Sequence, residues 1–155
     1  MITIELLKHY PETIPQLVQL WHEGIGKTWL PDMCISRVAD KLHTHLNEST
    51  LPLTWVALDN TQPVGMVSLR DNDGIRPDLT PWLGSLVVDP KYRKQGIGQR
   101  LIEATQLKAR EFGFNILYLL AFDPSIPDYY RKFGWSTIGM DELAGHPVTV
   151  MGICL

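Results

Sequence analysis

Residues 83–98 read L-G-S-L-V-V-D-P-K-Y-R-K-Q-G-I-G, and this stretch decides the fold. Its apolar beginning predicts a buried strand, which Asp89-Pro90 ends. Two glycines, Gly96 and Gly98, then stand where an amphipathic segment with helical spacing, Ile97–Phe112, begins. A strand, a glycine-containing turn and a helix therefore follow one another without a break.

The glycine pair is a candidate site for a phosphate or pyrophosphate. The first N–H groups of a helix have no partner inside the helix, and the positive end of the helix dipole points to the same place. Arg93 and Lys94 add positive charge beside it. The residues alone leave an alternative open, namely a tight turn followed by a solvated basic pair. No G-K-[ST] occurs, and Leu101 replaces the third glycine of a dinucleotide fingerprint.

Two motifs give this chain a family resemblance. The segment V-V-D-P-K-Y-R-K-Q-G-I-G-Q-R-L-I resembles the acetyl-CoA-binding motif of the GNAT superfamily of N-acetyltransferases, [QR]-x-x-G-x-[GA], which Arg93, Gly96 and Gly98 fill. The second signature of the superfamily, an aromatic pair before x-x-x-G-[FW], matches Y-Y-R-K-F-G-W at residues 129–135. The two motifs cover the chain from Leu83 to Trp135.

Periodicity and turn residues predict the other elements of the chain. Gly24 and Gly26 are expected to end the first helix, Ser36 to cap the second and Gly113 to follow the third. The predicted strands are Ile2–Leu7, Leu53–Leu58, Pro63–Arg70, Leu83–Val88, Ile116–Ala121, Trp135–Met140 and Val148–Cys154, and the predicted helices are Pro15–Glu23, Ser36–Asn47, Ile97–Phe112 and Pro127–Phe133.

The order β-α-α-β-β-β-α-β-α-β-β suits an α/β fold with one central sheet. The resemblance implies a single acyltransferase domain over residues 1–155. It also implies a mixed, mostly antiparallel sheet with a parallel central pair and helices on both faces. In such domains the central strand usually carries a bulge and diverges from its parallel neighbour. Gly84 is compatible with a bulge in the predicted strand.

Composition restricts the compartment and the partners. The 155 residues are 45% hydrophobic and 20% charged, which is ordinary for a globular domain. A net charge of −3 predicts neither nucleic acid nor a membrane surface as the main partner. Cys34 and Cys154 lack disulfide or metal spacing, and the N-terminus lacks a signal-peptide pattern. We therefore expect a cytoplasmic protein without a metal.

The resemblance implies a set of contacts to acetyl-CoA. Main-chain groups of the central strand would pair with the pantetheine arm, and N–H groups of the following turn would hold the pyrophosphate. Asp123 stands where many relatives have an asparagine that bonds the arm, and capping the next helix is its other possible role. The implied cofactor-binding residues are Leu86, Val87, Val88, Arg93, Lys94, Gln95, Gly96, Ile97, Gly98 and Asp123.

Tyr130 is the implied catalytic residue. It lies four residues before Gly134, where many relatives place the tyrosine that protonates the CoA thiolate. A phenol is protonated at neutral pH and can donate a proton. Taken without the resemblance, Tyr130 is a packing residue on a short amphipathic helix, and Tyr129 is assigned to packing or to the acceptor pocket.

The general base and the acceptor remain open at this stage. Gly84 stands where some relatives carry a glutamate, so the base is sought among Glu23, His22, His43, His45, Asp71, Asp73 or a water chain. Acidic residues near the mouth would favour a cationic amine, although a solvated turn explains them equally well, and three tryptophans could line an apolar pocket or belong to the core. The residues concerned are Glu23, Asp71, Asp73 and Asp78, and Trp29, Trp55 and Trp82.

These observations predict an acetyl-CoA-dependent N-acetyltransferase in which a primary amine attacks the thioester directly. The acceptor could be a small molecule or a protein lysine. The alternative is a non-catalytic module that binds or senses acyl-CoA on the same fold, because a fold does not by itself fix an activity. A homodimer through the C-terminal strands is a further expectation from the resemblance.

Overall fold

The computed structural model describes residues 1–155. Its strands are β1 Ile2–Leu6, β2 Leu53–Asp59, β3 Gln62–Arg70, β4 Trp82–Val88, β5 Ile116–Ala121, β6 Ser136–Leu143 and β7 His146–Cys154. Its helices are α1 Ile14–Trp21, α2 Lys27–Trp29, α3 Ile35–His43, α4 Ile97–Glu111 and α5 Ile126–Arg131. Short 3₁₀ turns cover Leu7–His9, Pro11–Thr13 and Pro90–Tyr92.

All seven strands form one sheet in the order β1-β2-β3-β4-β5-β7-β6. Five neighbouring pairs are antiparallel, and β4 with β5 is the parallel pair. The crossover between those two strands is α4, the connection that a parallel pair requires. The predicted mixed, mostly antiparallel sheet with a parallel central pair is confirmed.

Helices cover both faces of this sheet, as predicted. Successive residues of β2 point to opposite faces, so Trp55 belongs to one core and Val56 to the other. The larger core joins the sheet to α4 and contains Leu101 and Ile102, which are fully buried. The smaller core joins the other face to α1 and α3. The helix α4 therefore packs on one face of the sheet, and the helices α1 and α3 pack on the other.

The expected end of the first helix at Gly24 and Gly26 is wrong. A π turn, His22–Gly26, continues α1 into α2, and Gly26 has ordinary helical angles. These glycines serve close packing instead of a turn. A Cβ at Gly24 would lie 2.5 Å from Cγ2 of Val87 on β4, and a Cβ at Gly26 would overlap the Trp21 ring. The helix consequently lies against β4 and reaches as far as Trp29.

The predicted helix caps had different outcomes. Gly113 has φ +90° directly after the last turn of α4, as predicted, and Phe114 N–H donates to Ala109 O at 3.1 Å. The capping role expected of Ser36 is wrong, because α3 begins one residue earlier and Cys34 occupies the N-cap position. The Ser36 hydroxyl lies 2.9 Å from Cys34 Sγ instead of bonding a free N–H group.

Candidate active site

The parallel strands β4 and β5 separate along their length, and a cleft opens where they do. Trp82 and Tyr118 are the one pair of residues in register between them. Beyond that pair, β4 has no strand neighbour on the β5 side. The cleft has a volume of about 1150 Å³ and runs from the start of α4 to the loop after β3. Residues 83–88 of β4 line it.

A bulge shapes β4 where it borders the cleft. Met66 pairs with Val87 and Ser68 with Gly84, so one residue of β3 faces two residues of β4. The two bulged residues are Ser85 and Leu86, and Ser85 has φ +51°. The sequence prediction of a bulge is thus right in kind, although the irregular angle falls on the serine and not on Gly84. A bulge reorients the main chain toward the cleft.

The turn before α4 presents a row of free donors. The N–H groups of residues 94–99 donate to no main-chain or side-chain acceptor. Gly96 has φ +78°, a conformation that glycine adopts without strain. It is the N-cap residue of a 15-residue helix, whose positive dipole end lies here. The arrangement matches what an anion with several oxygens needs.

Positive charge surrounds that row of donors. Arg93 and Lys94 are exposed, and neither side chain forms an ion pair. Lys94 has φ +64°, so the chain turns twice in the left-handed region before the helix starts. The Ile97 side chain is buried, and its main-chain N–H is the group left for a ligand.

A tether positions this turn, and the sequence analysis did not anticipate it. Tyr92 Oη donates to Asp59 Oδ2 at 2.8 Å, which joins the turn to the β2–β3 hairpin. This hydrogen bond raises the pKa of the Tyr92 phenol and lowers the pKa of the Asp59 carboxyl. The Asp89 carboxylate accepts from Lys91 N–H at 3.0 Å and fixes the start of the same turn. The D-P pair signals such a turn in the sequence, but nothing in the sequence connects Asp59 to it.

The predicted cofactor residues largely meet in the cleft. Gln95 does not line it, and the other nine do: Leu86, Val87, Val88, Arg93, Lys94, Gly96, Ile97, Gly98 and Asp123. Asp123 lies at the start of α5, and its Oδ1 accepts from Ser125 N–H at 2.9 Å and from Ser125 Oγ at 2.8 Å. These bonds lower the pKa of the Asp123 carboxyl. The geometry fits the role of a turn-stabilising residue at the edge of the cleft.

Tyr130 lines the same cleft from α5. It is 6% exposed, and its ring contacts Trp135 and Tyr129 edge-on at centroid distances of 5.6 and 5.5 Å. Burial, with a smaller effect of Tyr129, raises the pKa of the Tyr130 phenol well above its usual range. The phenol is therefore held in its protonated, donating form. The neighbouring Tyr129 is 40% exposed, and its hydroxyl would lie 4.0 Å from a Cβ at Gly98.

The tryptophans divide between cleft and core. Trp55 and Trp82 are buried and belong to the core. Trp29 lines the cleft at the end of α2 and stacks on Phe122 at 5.5 Å, with the rings 11° from parallel. His146 approaches Trp29 edge-on at 5.3 Å. The continued helix thus places an aromatic wall at the mouth of the cleft.

Among the candidate bases, three residues line the cleft: His45, Asp71 and Asp73. His45 Nδ1 lies 2.8 Å from Thr54 Oγ1, which in turn lies 2.7 Å from Ser68 Oγ, and all three side chains are buried. The remaining candidates, His22, His43 and Glu23, lie outside the cleft. Asp78, one of the acidic residues expected near the mouth, also lies outside it and pairs with Arg76.

Two further properties concern metals and membranes. No three His, Cys, Asp or Glu side chains gather closely enough to hold a metal ion. No helix combines the length and apolar character that crossing a bilayer requires.

The chain is similar to known acetyltransferases. The model of the acetyltransferase (GNAT) family matches residues 15–135. An uncharacterized N-acetyltransferase of Escherichia coli K12, YhbS, is 33% identical over 111 residues, which are 70% of this chain and 60% of that protein. The match thus spans less than two thirds of YhbS. The peptidyl-lysine N-acetyltransferase YjaB of Salmonella typhimurium LT2 is 25% identical over 99% of this chain and 97% of its own.

The fold is similar to that of solved acetyltransferase structures. One is an aminoglycoside 6'-N-acetyltransferase in complex with coenzyme A. It has a TM-score of 0.76 and is 20% identical, and the match covers 99% of this chain and 96% of that one. At this identity the likeness concerns the fold.

Proposed function

The chain belongs to the acetyltransferase (GNAT) family, and we propose that it transfers an acetyl group from acetyl-CoA to a primary amine. The resemblance noted in the sequence is confirmed by the family match. The observation that carries the proposal is the row of free N–H groups at residues 94–99, at the end of a cleft that β4 lines.

The structure fits the donor molecule on physical grounds. Gly96 has φ +78°, and a Cβ added there would meet nothing within 4 Å. The space beside the free donors is therefore open, as a pyrophosphate would require. We propose that these N–H groups hold the pyrophosphate, with Arg93 and Lys94 adding charge, and that Leu86, Val87 and Val88 pair with the pantetheine arm as an extra strand would.

The chain's own groups supply the chemistry beyond binding. Acetyl-CoA, when bound, supplies the thioester carbon that the amine attacks. A main-chain N–H at the bulge, near Leu86 or Val87, polarises the thioester carbonyl. Tyr130 donates a proton to the departing sulfur as the C–N bond forms and the C–S bond breaks, because its buried phenol stays protonated throughout the ordinary pH range. The attacking nitrogen loses one proton, which restores the phenol, so the products are the amide and the free CoA thiol. Asp123 stabilises the turn before α5 at the edge of the cleft by accepting hydrogen bonds from Ser125.

Location and assembly belong to the same proposal. We place the protein in the cytoplasm, in keeping with two exposed cysteines that form no disulfide. The edge strand β6 exposes Ile138 and Met140, at 46% and 66%, which supports a homodimer through this strand. Light scattering checks the assembly, since the single chain has a mass of 17.6 kDa.

A thermal-shift titration with acetyl-CoA, CoA and a nucleotide control tests the binding site. A ligand that binds only the native state raises the melting temperature. We expect Gly96→Ala to lose this ligand-dependent rise. Gly113→Ala is the matched control, because Gly113 also has a positive φ and open space around it, but lies at the other end of α4.

Both substitutions place a Cβ in the left-handed region and should cost about 1–2 kcal/mol of stability. Only the first should affect the ligand. An equal CoA-dependent rise in the two variants would remove the turn from the binding site. Binding of acetyl-CoA without release of the CoA thiol, across a broad panel of amines, would favour the non-catalytic alternative.

A further inference from the structure

An ion pair lies in the cleft next to the bulge of β4. We call this part of the cleft, beyond the free N–H groups, the acceptor side. Arg70, at the end of β3, donates from Nη1 to Asp73 Oδ1 at 2.6 Å and from Nη2 to Ser85 Oγ. The two side chains of the pair are 26% and 11% exposed, and both line the cleft. The pair is therefore largely shielded from solvent and opens toward the cleft.

The pair lies directly over Gly84. A Cβ at Gly84 would lie 2.6 Å from Arg70 Nη1 and 3.3 Å from Asp73 Oδ1. The space that a side chain of residue 84 would need is thus filled by the guanidinium and the carboxylate. Because Gly84 directly precedes the bulged residues, this places both charges at the end of the cleft where the proposed transfer takes place.

Both partners retain hydrogen-bonding capacity. A guanidinium has five N–H donors, of which Arg70 uses two within the protein. Asp73 accepts one bond at Oδ1 and none at Oδ2. None of these unused atoms is among the buried polar atoms that lack a partner, so they remain accessible from the cleft. A ligand with one donor group and one acceptor group would satisfy both.

The charges around the pair also balance. Two cations, Lys41 and Arg70, and two anions, Asp71 and Asp73, line the cleft. His45 adds no charge at neutral pH, because burial and the nearby Arg70 and Lys41 lower its pKa to about 4. An acceptor carrying only ammonium groups would meet two fixed cations. An acceptor with one positive and one negative group matches the arrangement.

We infer that the acceptor is an amino acid, whose amino group binds Asp73 and whose carboxylate binds Arg70. The amino group binds as the ammonium and loses a proton to water in the open cleft, and the neutral amine then attacks the thioester carbon. This inference rests on the proposed function and specifies its substrate class. Asp73 and Arg70 determine specificity, and Ser85 links Arg70 to the bulge. Charge-assisted bonds to a carboxylate are strong and directional when a guanidinium donates them, so Arg70 is the residue whose loss should change the preference most.

The test compares amino acids with their C-terminal amides, which keep the amine and lack only the carboxylate. Thiol release from acetyl-CoA is measured with a panel of L-amino acids, the matching amides and spermidine. We expect kcat/KM to be at least tenfold higher for the preferred amino acid than for its amide. Arg70→Gln should bring this ratio close to one while the acetyl-CoA thermal shift stays unchanged.

Two variants keep the test sharp. Arg76→Gln is the matched control, because Arg76 pairs with Asp78 in the loop after β3 and lies outside the cleft. This variant should keep the full preference for the amino acid over its amide. Arg70→Lys keeps the charge and should retain part of the preference, which guards against misfolding of the glutamine variant. Amides or spermidine that react as well as amino acids would overturn the inference, and so would a preference that survives in Arg70→Gln.

The outcomes separate this inference from the function beneath it. Transfer to amides and spermidine but not to amino acids contradicts only the substrate class. Bound acetyl-CoA without transfer to any amine contradicts the transferase activity and, with it, the substrate class.

Discussion

Replacing Gly98 by leucine should make the free protein more stable and the CoA complex weaker, whereas alanine, which the motif [QR]-x-x-G-x-[GA] admits at this position, should leave CoA binding nearly unchanged. Gly98 lies in the first turn of α4, and its φ is not in the left-handed region. A Cβ there would meet Val88 Cγ2 at 3.9 Å and Tyr129 Oη at 4.0 Å, which are ordinary contacts. The fold therefore accepts a Cβ at this position, while a side chain longer than a methyl group enters the space beside the free N–H groups.

The two effects have opposite signs and separate magnitudes. Leucine in place of a helical glycine contributes about 0.5–1 kcal/mol, which raises the melting temperature of a chain this size by about 1–4 °C. CoA at a hundred times its Kd stabilises the native state by about 2.7 kcal/mol, or about 5–11 °C. If Kd rises tenfold, the same CoA concentration contributes only about 1.4 kcal/mol, or about 3–6 °C.

Melting curves with and without CoA measure both quantities in one experiment, and calorimetric titration gives Kd directly. The leucine variant should start above the wild type without ligand and gain about half as much with CoA. A CoA-dependent gain equal to that of the wild type would refute the reasoning. It would place the pyrophosphate away from the first turn of α4, whatever the stability of the free protein.

Two other predictions concern single side chains. Tyr130→Phe should lower kcat by about a hundredfold or more and leave the CoA thermal shift unchanged, because only the proton donor is lost; Tyr129→Phe is the control, and equal kcat values for the two variants would contradict the role. His45 has a pKa of about 4 in the fold and about 6.5 in the unfolded chain, so the unfolded chain binds more protons between these two pH values. The free energy of unfolding should therefore fall by roughly 2–3 kcal/mol as the pH drops from 6.5 to 4. Urea titrations should show that the free energy of unfolding depends less on pH in His45→Asn than in His43→Gln, the control at an exposed site. An identical pH dependence in the two variants would contradict the role of His45.

The sequence predicts the layers of the fold well, because hydrophobic periodicity reports which side of an element is buried. The helical spacing of Ile97 and Leu101 indicates the packed side of α4, and both residues are buried. The prediction fails where tertiary packing decides the backbone. Gly24 and Gly26 look like a helix end in one dimension, and they are instead the positions where α1 and its continuation lie closest to Val87 and Trp21.

The candidate site likewise has one part that the sequence predicts and one part that it does not. A local motif predicts the glycine turn, since its N–H groups and its helix adjoin one another in the chain. Asp73 lies only three residues after Arg70, but Ser85 meets Arg70 only after β3 and β4 pair, so the sequence did not reveal the role of Arg70. The positive φ of Ser85 leaves no trace in the residue type. Contacts between distant segments therefore set the acceptor side, and the residue pattern alone leaves it undetermined.

The free N–H groups before α4 also bear on how this protein can change over generations. Every residue type except proline offers the same main-chain N–H, so positions such as Gln95 and Gln99 can drift without altering what the turn presents. The acceptor side depends on the identity of individual side chains. A lineage descended from this chain would therefore retain its donor molecule through extensive divergence and could exchange acceptors by one or two substitutions.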